Sequence, residues 1–128
     1  MRALVFVAVL AACGKAGAPD KAGPAGTPRD AVVAAWTSAK LVPSKLVAVP
    51  VTFAKDCQSG TVEGLDVLLC SFATPADAKA AQEPGLAWVG PATGASQAHG
   101  AVLIVLVDKK KADPSGRTIN RLMKLAPN

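Results

Sequence analysis

The chain has no tyrosine, one histidine, two tryptophans and three phenylalanines among 128 residues. Binding of single-stranded nucleic acid wants aromatic stacking platforms beside a basic stripe. Neither pattern is present, so no nucleic-acid partner is expected. With so few aromatics, a modest aliphatic core is expected and no aromatic-lined pocket is visible in the sequence. With His99 as the sole imidazole, hydrolytic chemistry of the Ser–His kind has one candidate base. Ser71 and Ser96 are its possible nucleophiles, but neither sits in a Gly-x-Ser-x-Gly elbow. A histidine on the surface of a polar loop is the plainer reading, so no enzyme is expected. The motifs of phosphate loops, dinucleotide folds, EF-hands and haem attachment are also missing, and no cofactor is expected.

Cysteine is scarce too, at three residues. Cys57 and Cys70 are spaced neither as Cys-x-x-Cys nor as a usual zinc site, so no metal is expected. Acidic residues number nine and Lys plus Arg fourteen, a net charge of +5. The cations are dispersed apart from Lys109-Lys110-Lys111. That run reads as a solvated loop with a possible contact to an anionic headgroup or polymer. Asp66 interrupts an otherwise apolar stretch, and it is expected at a strand's exposed end.

What is present begins with an address. Met1-Arg2 is basic, Ala3 to Leu10 is an unbroken apolar run, and Leu10-Ala11-Ala12-Cys13 closes it. The run is about half the length a membrane span needs, so it reads as the core of a signal peptide. Leu-Ala-Ala-Cys resembles the lipobox of bacterial lipoproteins. The resemblance implies cleavage before Cys13, a diacylglyceryl thioether on its sulfur and usually a further acyl chain, typically palmitate, on the new amino group. Two or more chains, at about 0.8 kcal/mol per buried methylene, make a stable anchor where one does not. Membrane lipid is thus the expected partner through Cys13, with an envelope protein or anionic polymer as a further one. Gly14 stands where an aspartate commonly retains lipoproteins at the inner membrane, which favours the outer membrane, with the body in the periplasm or at the cell surface. An ordinary secretory signal with a coincidental cysteine is the competing reading.

Residues 1–12 are therefore expected as signal peptide and 13–27 as lipidated cysteine plus Gly/Ala/Pro tether. Residues 28–128 form one domain of commonplace size. Removing Cys13 leaves Cys57 and Cys70 as an even pair in an oxidising compartment, and a disulfide follows. Set opposite one another in a hairpin, they pair Val62 with Leu65 and leave Glu63-Gly64 as a two-residue turn.

Helix-opening chemistry occurs at Thr27-Pro28-Arg29-Asp30, at Thr74-Pro75-Ala76-Asp77 and at Asp113-Pro114. The likeness of the first two is read as shared capping, not as duplication. Val32, Trp36 and Ala39 form an inward stripe, as do Ile119, Leu122, Met123 and Ala126. The alanine-rich helix after Thr74 is expected to stop near Pro84. Leu65 to Phe72 and Ala101 to Val107 read as strands, the latter central and covered on both faces. Part of Leu46 to Phe53 alternates as a further strand. The sum is a small α+β domain of three to four strands and two to three helices, with a split β-α-β arrangement of ferredoxin-like type as one candidate.

Overall fold

A computed structural model describes residues 27–127. The expectations for the signal peptide, Cys13 and the tether up to residue 26 lie outside the described residues. The body is α+β: helix α1 (Pro28–Ser38), strands β1 (Val47–Ala48), β2 (Asp56–Val62) and β3 (Leu65–Ser71), helices α2 (Pro75–Ala80) and α3 (Gln82–Val89), strands β4 (Thr93–His99) and β5 (Val102–Asp108), and helix α4 (Arg117–Leu125). One antiparallel sheet carries the order β1-β2-β3-β5-β4. β3 and β4 each run antiparallel to β5 between them, so they are parallel to one another. With α2 and α3 on the crossover, this is one split β-α-β unit. The ferredoxin-like pattern has two, and here the remaining strands form a hairpin instead. Five strands and four helices exceed the expected counts because β4 and the short β1 join the sheet and the middle helix is broken in two.

The local chemistry explains most of the ends. Thr27 Oγ1 accepts from the Asp30 amide at 3.1 Å while Asp30 Oδ2 accepts from the Thr27 amide at 3.2 Å, a reciprocal capping box. At the other end of α1 Lys40 turns to a φ of +68°. Leu41 N–H then reaches Trp36 C=O at 2.9 Å and Lys40 N–H reaches Thr37 C=O at 2.9 Å. These are the two bonds of a Schellman termination, made with lysine where glycine is the usual choice. Leu41 is delivered into the core by it.

Thr74 caps α2 through the Asp77 amide at 3.1 Å. The expected stop at Pro84 is corrected: α2 ends at Ala80, and α3 begins at Gln82 and runs through Pro84. Proline lies there in the first turn, where an amide has no intrahelical acceptor and its absence costs little. Helix α4 starts at Arg117, later than Asp113-Pro114 suggested.

Side chains of the sheet face two layers. On one face Val67, Leu69, Ile104 and Leu106 pack with Val32 and Trp36 of α1 and Ile119, Leu122 and Met123 of α4. On the other, Leu68, Cys70, Leu103, Val105 and Val107 pack with Ala81 and Val89, and with Val49, Val51 and Phe53 from the segment before β2. That segment is a strand over only two residues, with an isolated bridge from Val51 to Ala54. All seven residues of β5 are buried, as a strand covered on both faces requires.

Trp36 ties α1 to α4. It is fully buried, and its indole Nε1–H donates to Leu122 C=O at 2.8 Å. Leu122 carries one of the last four carbonyls of α4, which have no intrahelical donor. The bond thus satisfies a buried acceptor and a buried donor at once.

Candidate functional site

Cys57 and Cys70 are directly opposite in β2 and β3, with Val62 against Leu65 closing the hairpin. Glu63 and Gly64 have φ of +52° and +81°, as a type I′ turn demands of both central residues. Counting from the hydrogen-bonded pair at the turn puts the cysteines at a non-hydrogen-bonded position, where strands approach most closely. Their Cα atoms are 4.1 Å apart and the sulfurs are bonded. Both are buried, which makes the bridge a part of the second layer and leaves no exposed thiol among the described residues.

Lys109, Lys110 and Lys111 lie exposed between β5 and α4, in a turn as expected. The turn is held from below by two buried carboxylates. Asp108 accepts from the Ala112 amide at 2.7 Å and the Asp113 amide at 2.9 Å. Asp113 accepts in turn from Thr118 at 3.1 Å and Ile119 at 2.9 Å. Gly116, the residue at the N-cap, has no side chain to offer, so Asp113 caps α4 from three residues upstream. A carboxylate on the first-turn amides also suits the positive helix end. Asp113 thus opens the last helix as its place before Pro114 suggested, while the part of Asp108 carried no signal in the sequence beyond its place at the other end of the lysine run.

The three lysines are not equivalent. Lys109 Nζ lies 3.9 Å from Asp66 Oδ2 and 6.0 Å from the centre of the Trp88 ring. Asp66 is half-exposed near the hairpin turn, in line with its expected place at a strand end. Lys110 and Lys111 project from the same turn, and no ion pair to either is seen among the described residues. Lys111 is held at a φ of +57°. Exposed pairs such as Lys109–Asp66 contribute little to stability.

His99 requires a correction. It is the last residue of β4 and is buried, not a surface histidine in a loop. Pairing with Val102 pulls it into the sheet, and its Nε2 lies 3.2 Å from Gln97 Oε1. Ser96 is three residues earlier on the same strand, so its side chain points to the opposite face. Ser71 lies across Val102 from His99, two strands away at roughly 10 Å between backbones. The hydroxyls of both serines are buried without a hydrogen-bond partner. The fold therefore does not bring the candidate base and either candidate nucleophile together.

Between the 50–54 segment and helices α2 and α3 runs an open apolar depression, lined by Phe53, Phe72, Pro84 and Trp88 among others. Spaced far apart in the sequence, these aromatics carried no joint signal there. Trp36 and Trp88 separate accordingly, the first fully buried and the second half-buried at this rim. Among the described residues, no three His, Cys, Asp or Glu side chains gather to hold a metal ion, and no helix is long and apolar enough to cross a membrane.

Models of known protein families, curated proteins and solved structures were compared with the chain, and none matches it.

Proposed function

We propose that this is a lipid-anchored protein of a bacterial envelope, tethered through acylated Cys13 and acting as a non-enzymatic interaction or accessory module. The observation that carries the reading is the run Ala3 to Leu10 closed by Leu10-Ala11-Ala12-Cys13. A hydrophobic segment too short to span a bilayer, ending in small residues and a cysteine, has a ready use as a lipidation signal. The Cys57–Cys70 bond supports it, because such bonds persist in oxidising compartments. Gly14 favours the outer membrane, with the body in the periplasm or displayed at the surface.

Intact-mass analysis of protein from membranes tests this. A chain beginning at Cys13 and heavier by a diacylglyceryl group and an acyl chain is the expected result. An unmodified sulfur, or the leader still attached, overturns the reading. Cys13→Ser should abolish both the processing and the mass increment.

A second reading, a binding protein for an anionic headgroup or polymer, draws on the pinned lysine loop. Asp108 and Asp113 order its backbone, which lowers the entropy lost when Lys110 and Lys111 meet phosphate or carboxylate groups. Salt-sensitive binding to anionic vesicles that disappears on Lys109→Gln, Lys110→Gln and Lys111→Gln together supports it. Binding that survives the triple change rules it out.

A further inference from the structure

The two edges of the sheet differ in kind. β1 is two residues long, and Pro43, Lys45 and Pro50 flank it. Shortness, proline and lysine are the devices by which an edge avoids pairing with another chain. β4, at the opposite edge, is neither short nor flanked by lysine, and its one nearby proline, Pro91, lies before its start. It is seven residues long, reads Thr-Gly-Ala-Ser-Gln-Ala-His, and pairs with β5 in unbroken register from Thr93–Asp108 to His99–Val102. No charge, proline or bulge interrupts it, and among the described residues no strand pairs with its other side.

Which groups face outward follows from one hydrogen bond. Ala98 N–H donates to Gln82 Oε1 at 2.8 Å, so it points away from β5. Alternation along an antiparallel strand turns Gly94 and Ser96 the same way. At Ala98 a side-chain amide already stands where the carbonyl of a neighbouring strand would stand. Beside this edge lies an open recess lined by Gln82, Gln97, Ile119, Asn120 and Met123, all without charge.

We propose that the β4 edge is a self-association surface, at which a second copy of this chain adds its own β4 antiparallel about Ser96. Ser96 then faces the partner's Ser96, and Gly94 faces the partner's Ala98. Small side chains meet small ones, and no like charges are opposed across the strands. The arrangement is isologous, so one patch serves both copies and the contact closes at a dimer. The chain's own tether is a poor rival for this edge, since Pro19 and Pro24 lack the amide a ladder needs. Gln82 acts as a competitor that must release Ala98 for the full ladder to form. The proposal does not depend on lipidation, although two copies tethered to one bilayer would meet at a raised effective concentration.

Sedimentation equilibrium of the full chain in excess non-ionic detergent, from micromolar to millimolar, reads the association. Amide exchange by NMR reads the edge. The expected result is a dimer whose formation slows exchange at Gly94 and Ser96 in step with concentration. Gln97→Lys places a charge at this edge, at an exposed position. It should weaken the dimer by about tenfold or more with the circular dichroism unchanged. Gln82→Ala frees the Ala98 amide and should tighten the dimer, which keeps the proposal open to refutation if Gln97→Lys fails to fold. A chain that stays monomeric overturns it. So does a dimer indifferent to both substitutions, or edge protection that ignores concentration, the signature of a different occupant.

Discussion

The two layers that cover the sheet are built on different principles. The α1/α4 layer is closed by shape: Trp36 is fully buried in it, its indole hydrogen satisfies the end of α4, and aliphatic side chains from α1, β2, β3, β5 and α4 pack around it. The α2/α3 layer is covered by short helices and by a loop. A disulfide between β2 and β3 lies under it near one end of those strands, and its flank is the irregular 49–54 segment with Phe53, Phe72 and Trp88 at an open rim. A layer without enough regular structure to bury itself can still be held if its hairpin cannot open. The first layer thus holds the fully buried tryptophan, and the second carries the half-buried one at an open rim.

Trp36→Ala should have the largest effect on the fold. Loss of the ring volume and of the Leu122 bond should cost about 3–5 kcal/mol in chemical denaturation. Trp88→Ala, at the open rim, should cost clearly less, and equal losses would mean that the layers are packed alike. Next comes Cys57→Ala with Cys70→Ala. Opening a loop of this size should cost roughly 3 kcal/mol, read as a lower midpoint with the fold retained at room temperature. A loss within error would show that the hairpin's own turn is sufficient.

Asp113→Ala removes the acceptor for two first-turn amides of α4 and leaves Gly116 unable to replace it. The expected cost is about 2 kcal/mol, with faster amide exchange at Thr118 and Ile119 and in the lysine turn. Smallest of all is Lys40→Gly, which relieves a side chain in the left-handed region after α1. It should stabilise by about 1 kcal/mol. A destabilising result would mean that the lysine stem packs favourably there.

Much of the framework was legible one residue at a time. Thr27 and Thr74 cap helices because their hydroxyls have an amide three residues on, a strictly local relation. Glu63-Gly64 sets the register of its hairpin, and the register alone brings Cys57 against Cys70. β4 was not legible, because glycine, alanine, serine and glutamine have little strand preference and its pairing with β5 makes it a strand. The break at Ala81 was misplaced to Pro84 because proline's position within a first turn is set only once the helix start is known. His99 was misjudged for the same reason as β4, since a loop residue and an edge-strand residue differ only by their neighbour.

The candidate surfaces divide along that line too. Cys13 and the lysine run are written in consecutive residues and need no fold to be seen. The aromatic rim and the free edge of β4 join positions far apart in the chain, whereas the Asp108–Asp113 clamp is local but shows itself only once the turn has formed.

By itself, then, the sequence determined the capped helix starts, the apolar strands and the disulfide hairpin, because each depends on local side-chain chemistry or on the register that one two-residue turn sets. Only the tertiary structure decided which strands stand at the edges, which helix end Trp36 completes and which serine faces which side of the sheet. Those outcomes rest on contacts between distant segments, whose energies exist only after the chain has closed around its core.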